Sequence, residues 1–289
     1  MNSLVQNAFD SWTPPVATIA MLIVTAAIYA RGFVRLHRQM PERFPTWRLT
    51  MFMGGIAALF VAIASPLEEL DDVLLQIHMT QHLLLMIVAP AMLLAGAPAI
   101  ALVRGMPARM AKLVVGPMLR SRSVRRVFGW LTQPLVCWSA FTAATWGWHL
   151  PVAFQLALRS DGWHVVEHAC FFTTALMFWY PVIQPWPSVE QWPRWAMIPY
   201  LLLADGQNTI LAALFMFSNR LLYPLYAAAP RVPGFTPLGD QIMAGAIMWV
   251  PGSLFYLVPA TIITFQMLAP QNMTRGAALK VPATPVPGL

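Results

Sequence analysis

Apolar positions fill long stretches of the chain, and polar positions gather between them. Seven runs approach about 20 residues, the length a helix needs to cross the hydrocarbon of a bilayer. They are roughly 14–32, 49–66, 74–96, 134–152, 163–183, 195–217 and 239–267. Proline marks many of the borders, at Pro14, Pro15, Pro66, Pro134, Pro181 and Pro199. Pro90 and Pro251 fall inside the third and seventh runs, where a kink is tolerated if neighbouring helices satisfy the freed carbonyls. The pattern predicts an all-α polytopic membrane bundle of about seven transmembrane helices, forming a single domain over residues 1–269. Between the third and fourth runs, about 97–133, basic residues alternate with Met106, Met110, Leu113, Met118, Val127 and Leu131. That alternation predicts one or two amphipathic helices on the cytoplasmic surface. The stretch 270–289 is rich in Pro, Ala and Thr and predicts a disordered tail.

The first run has no basic flank before it and several arginines after it, the reverse of a cleavable signal peptide. It is therefore expected to be a retained helix with the amino terminus outside. With seven crossings from that start, the cytoplasmic segments hold every Lys and Arg except Arg159, Arg220 and Arg231. This is the positive-inside distribution, and it puts the carboxyl terminus in the cytoplasm. Composition agrees: 58% of residues are hydrophobic and 10% charged, against about 25% charged in a soluble domain. A disordered chain, a coiled coil and most soluble enzymes are thereby set aside. The net charge of +7 follows from topology, with some attraction to anionic membrane lipid. It calls for no nucleic acid partner. Cys137 and Cys170 lie in different runs and form no CxxC pair, which argues against a disulfide framework or a thiolate zinc site.

Polar residues inside the runs carry the chemistry. His78 and His82 begin the third run, His164 and His168 begin the fifth, and His149 ends the fourth. In the topology that the apolar runs and basic residues predict, all five fall in the outer half of the membrane. Residues at i and i+4 share a helix face, so each pair can present two imidazoles to one metal ion. Polar packing between helices would explain one such pair; two pairs and His149 at one level favour a functional site. Carboxylates join them at the same side. Glu68, Glu69, Asp71 and Asp72 crowd the loop before the third run, Asp240 opens the seventh, and Glu167 precedes His168. Such groups ligate a cation or orient a histidine through its second nitrogen, while the loop cluster is equally compatible with plain solvation. Asp205 sits within the sixth run and should be paired or protonated. Met86 continues the His78, His82 spacing, with Met79, Met243 and Met248 at compatible depths. Thioethers favour Cu(I) and imidazoles suit copper, zinc and iron, but most of the 18 methionines are expected to be packing residues.

These segments resemble a known family. HMTQHLLLMIVAPAMLLAGAP from His78 to Pro98 looks like the signature of the caa3-type cytochrome c oxidase assembly factors, the Bacillus-type CtaG proteins. WHLP at Trp148–Pro151, HVVEHACFF at His164–Phe172, FWYPVIQP at Phe178–Pro185, SNRLLYPLY at Ser218–Tyr226 and DQIMAGAIMWVPG at Asp240–Gly252 follow in order. The resemblance implies support of cytochrome oxidase biogenesis at the bacterial plasma (inner) membrane through copper handling. Its partners would be oxidase subunits or other assembly factors. It makes His78, His82, His149, His164 and His168 the metal candidates, with Asp240 a ligand or a group that holds a ligand in place. Imidazoles bind metal only when neutral, so affinity should fall as pH drops through about 6.5.

Rival readings keep the same residues. Transmembrane histidines also ligate haem axially, with His82 and His168 as a pair, in an electron-transfer protein. A membrane metalloenzyme would use zinc or a di-iron centre with an open position. No HExxH, GxSxG or phosphate-binding glycine loop supports catalysis, and the expectation is a protein that is not an enzyme. A channel or scaffold whose histidines are polar packing is the remaining alternative.

Overall fold

Prolines set the joints of the chain. They stand just before α1 (Val16–Gln39) and α2 (Thr46–Ile63). They occupy the first turn of α6 (Pro134–His149), α7 (Pro151–Leu158) and α10 (Pro237–Leu268), where the missing N–H had no helical partner to lose. Between these lie α3 (Leu75–Ala95), α4 (Pro98–Gly105), α5 (Arg122–Leu131), α8 (Asp161–Ile183) and α9 (Met197–Phe217). The structure is a computed structural model and describes residues 12–188, 190–230 and 236–269, together with Asp10 and Gly234. The described residues are helices and connections, with no strand among them. The predicted tail 270–289 lies outside the described residues.

Helices occupy all seven predicted runs, and among the described residues five are long and apolar enough to cross a membrane: α1, α2, α3, Arg194–Phe217 and α10. The fourth run is cut at Leu150, where Pro151 forces extended backbone and starts a new helix, leaving 16 residues in α6. The fifth run, α8, has the length with 23 residues. Its apolarity is diluted by His164, Glu167 and His168. In both cases the shortfall is local to the cluster described below.

Of the five apolar helices, α3 is the most buried. It is packed by α2, α8 and α10. Gln81 ties it to α2 by donating from Nε2 to the Ala62 carbonyl at 3.0 Å. Over Leu84–Val88 it widens to i→i+5 bonding just before Pro90. There a neighbouring helix satisfies a freed carbonyl: the indole of Trp179 on α8 donates to the Met86 carbonyl at 3.0 Å. Below the histidines, Phe141, Phe171, Phe178, Trp179 and Tyr256 form an aromatic core. Outward faces of α9 and α10 expose Leu203, Ile210, Leu214, Val250, Leu254, Val258 and Phe265, the apolar covering a lipid-facing surface requires.

The segment 97–133 is helical but only partly a surface feature. α4 is pressed against α1, where a methyl on Gly32 or Gly105 would overlap the carbonyl of Ala101 or Ile28. Small residues allow this close approach of two backbones. α5 is the amphipathic piece: Ser121 caps it by accepting from the Val124 N–H at 3.4 Å. Val124, Val127, Phe128 and Trp130 are exposed beside its arginines.

Candidate metal centre

The site starts from two helices whose polar faces meet. On α3, His78 and His82 stand one turn apart. On α8, His164, Glu167 and His168 fall at i, i+3 and i+4, on one face. The rings of His78 and His82 are 4.3 Å apart between centroids, and those of His164 and His168 4.2 Å. Across the helices, His78 lies 5.3 Å from His164, and His82 lies 5.7 Å from His168. His149, at the end of α6, closes the group 5.8 Å from His82. All five predicted histidines therefore converge.

Two carboxylates complete the cluster. Glu167 Oε2 is 3.9 Å from His78 Nε2, and its Oε1 is 3.8 Å from His82 Nε2. Asp71 Oδ2 is 3.5 Å from His164 Nε2 and 3.9 Å from His78 Nδ1. The donor atoms of His78, His82 and Glu167 lie within 4.8 Å of one another, and so do those of Asp71, His78 and His164. His78 belongs to both triads, one nitrogen facing each carboxylate.

These atoms are buried and have no hydrogen-bond partner. That holds for both ring nitrogens of His78 and His82, both oxygens of Glu167, Asp71 Oδ2, and Nε2 of His149, His164 and His168. An orphaned buried polar group costs about 1–3 kcal/mol, so a native fold does not gather so many without purpose. Two ligands about 2.0–2.2 Å from a tetrahedral ion stand roughly 3.3–3.6 Å apart. The observed gaps are close to that spacing and too long for direct hydrogen bonds. The donor set, neutral imidazole with carboxylate, fits a cation.

Neighbouring groups hold the frame. Tyr223 donates to the His149 carbonyl at 2.7 Å, and Tyr226 donates to the Asp71 carbonyl at 2.9 Å. His149 Nδ1 meets the Thr145 carbonyl at 2.7 Å. That contact requires the proton on Nδ1 and leaves the Nε2 lone pair free. Outside the spans, burial pushes the Asp71 carboxyl up to about 8, helped by the negative charges of Asp72 and Glu68. Burial also raises Glu68 and Asp72 above their ordinary values, with Glu69 and Asp161 adding to the first and Asp161 to the second.

Asp240 is not brought into this cluster. Its Oδ2 accepts from the Leu75 N–H at 2.7 Å and its Oδ1 from the Gln76 N–H at 3.1 Å. It caps the start of α3 from α10 and so fixes where His78 points. Asp71 and Glu167 were among the carboxylates offered as ligands or histidine partners, and these two are the ones brought into the cluster. Glu167 was legible as the i+3 companion of His164, whereas Asp71 looked like its three acidic neighbours.

A family model described as cytochrome c oxidase caa3 assembly factor matches residues 27–269. An uncharacterized protein of Mycobacterium leprae is 22% identical over 253 residues, 86% of this chain and 38% of its own length. Uncharacterized proteins of Mycobacterium bovis and Mycobacterium tuberculosis are each 22% identical over 234 residues, 78% of this chain and 35% of theirs. The chain thus spans less than two-fifths of the relatives it matches. No solved structure matches it.

Proposed function

The chain belongs to the cytochrome c oxidase caa3 assembly factor family, and from that premise we propose that it binds copper as cargo at the buried imidazole–carboxylate cluster and hands it on during oxidase assembly. One observation carries the reading. His78, His82 and Glu167 bring ligand atoms within 4.8 Å of one another, and Asp71, His78 and His164 do the same, with the facing nitrogens and oxygens unpartnered. Imidazole suits copper, and delivery needs ligands that exchange. His78 is common to both triads, so an ion can pass from Asp71 and His164 to His82 and Glu167 without leaving the protein. The role is binding and transfer, not turnover. Mixed imidazole and carboxylate ligation also favours an ion over haem, whose axial ligands are His, Met, Cys or Tyr.

The recipient is an oxidase subunit or another assembly factor, reached from the outer face of a bacterial plasma membrane. The excess of Lys and Arg on the opposite side supports that orientation and seven crossings. Elemental analysis of the purified full chain tests the copper reading. The wild type should carry copper, and His78→Ala combined with His82→Ala should remove most of it. Equal copper content in the two proteins would reject the assignment.

A further inference from the structure

Against His82 on α3 lies a small cavity of about 40 Å³. Met79, Met86 and Met248 line it, together with His82 and His149. All five are buried. The three methionines come from two helices, α3 and α10, and His149 from a third.

Its polar inventory is unusual for a dry core. His149 Nε2 is buried and unpartnered, its lone pair freed by the Nδ1 contact to Thr145. His82 Nδ1 is likewise unpartnered, while His82 Nε2 faces Glu167 in the neighbouring cluster. Each nearby amide is engaged through one of its atoms. Gln207 Oε1 accepts from Trp146 at 3.2 Å, and Asn208 Nδ2 donates to the Met248 carbonyl at 2.9 Å. Two unpartnered imidazole nitrogens and three methionine side chains thus border one cavity. Thioethers select Cu(I) over harder ions.

We propose that this cavity is a second metal site, taking Cu(I) through Met79, Met86, Met248 and the Nε2 of His149. It rests on the copper reading given above and adds a soft site to the imidazole–carboxylate one. His82 borders both, which makes it the residue across which an ion exchanges between them.

The test is X-ray absorption of the purified full chain loaded anaerobically with Cu(I), with Zn(II) binding measured in parallel. The wild type should show sulfur in the copper shell. The variant carrying Met79→Leu, Met86→Leu and Met248→Leu should lose that sulfur and keep Zn(II), since Leu conserves the volume of Met and leaves the cluster intact. If the triple variant does not fold, Met248→Leu alone should lower the sulfur coordination by about one, as the site has one sulfur per methionine. A wild-type copper shell of nitrogen and oxygen alone would overturn the inference, as would sulfur surviving in the triple variant. Zn(II) binding without a sulfur shell would sink this second site and leave the first standing. Failure of the wild type to bind either ion would remove both.

Discussion

Glu167 places Oε1 3.8 Å from the Nε2 of His82, with neither atom hydrogen-bonded to anything else. A carboxylate fully enclosed beside a neutral ring is costly to keep. Replacing it with the neutral isostere should therefore separate folding from binding. In Glu167→Gln the metal-free protein should unfold at an equal or higher temperature, because a buried unpaired acid has been removed. Metal affinity should fall at least 10–100-fold, the range seen for lost supporting groups around a metal. Thermal unfolding in detergent and metal titration measure the two. A variant that lost stability and kept its metal would show Glu167 to be packing.

Asp71 gives the cluster its pH dependence. Its carboxyl is held at about 8 rather than 3.8, by burial first and then by Asp72 and Glu68. A carboxyl raised in the fold is bound to its proton there while the unfolded chain has lost it. The metal-free fold therefore loses stability as pH rises from 3.8 to about 8. Metal binding requires the proton to leave, so affinity should climb as pH approaches about 8 and level off above. Titrations at a series of pH values should show this slope, with proton release on binding. Asp71→Asn should flatten it; an unchanged slope would assign the dependence elsewhere.

Much of this was written in the sequence, and the misses have physical causes. The five histidines stood at one predicted depth, and their azimuths agree because i, i+4 spacing puts both members of each pair on one face. Run lengths gave helices in all seven places. They did not foresee that Leu150–Pro151 would cut the fourth, since hydropathy continues across the break while backbone conformation does not. Asp71 could not be told from Glu68, Glu69 or Asp72, because which of four adjacent acids turns inward is settled by the short helix Glu68–Asp71 and its contact with Tyr226. Asp240 was a fair candidate by charge and level. Its carboxylate is instead occupied by the Leu75 and Gln76 amides, contacts between residues 165 and 164 positions apart that no local pattern shows.

Asp240→Asn distinguishes that capping role from ligation. Asn keeps one acceptor oxygen for the two N–H groups and removes the charge that favours a helix start. Stability should fall by about 1 kcal/mol, within the range for lost helix caps. Metal stoichiometry should stay at the wild-type value, because the five imidazoles, Asp71 and Glu167 remain. Loss of metal at unchanged stability would make Asp240 a ligand after all.

Trp179 and Pro90 should be coupled through the carbonyl of Met86. Pro90 has no N–H to give to the carbonyl four residues back, that of Met86, and Trp179 donates to that oxygen instead at 3.0 Å. Trp179→Phe keeps an aromatic ring in the stack with Tyr256 but deletes the donor. Leaving the buried acceptor short should cost about 1–3 kcal/mol, beyond the smaller loss of ring area. In a Pro90→Ala background the backbone N–H is restored, so the same Trp179→Phe change should cost less. Thermal unfolding of the four proteins in the cycle measures the difference, and coupling of 0.5 kcal/mol or more (roughly the floor for contacting groups) is the expected result. Strict additivity would mean that the widened turn at Leu84–Val88 satisfies Met86 unaided. Trp179 would then serve α3 by packing alone.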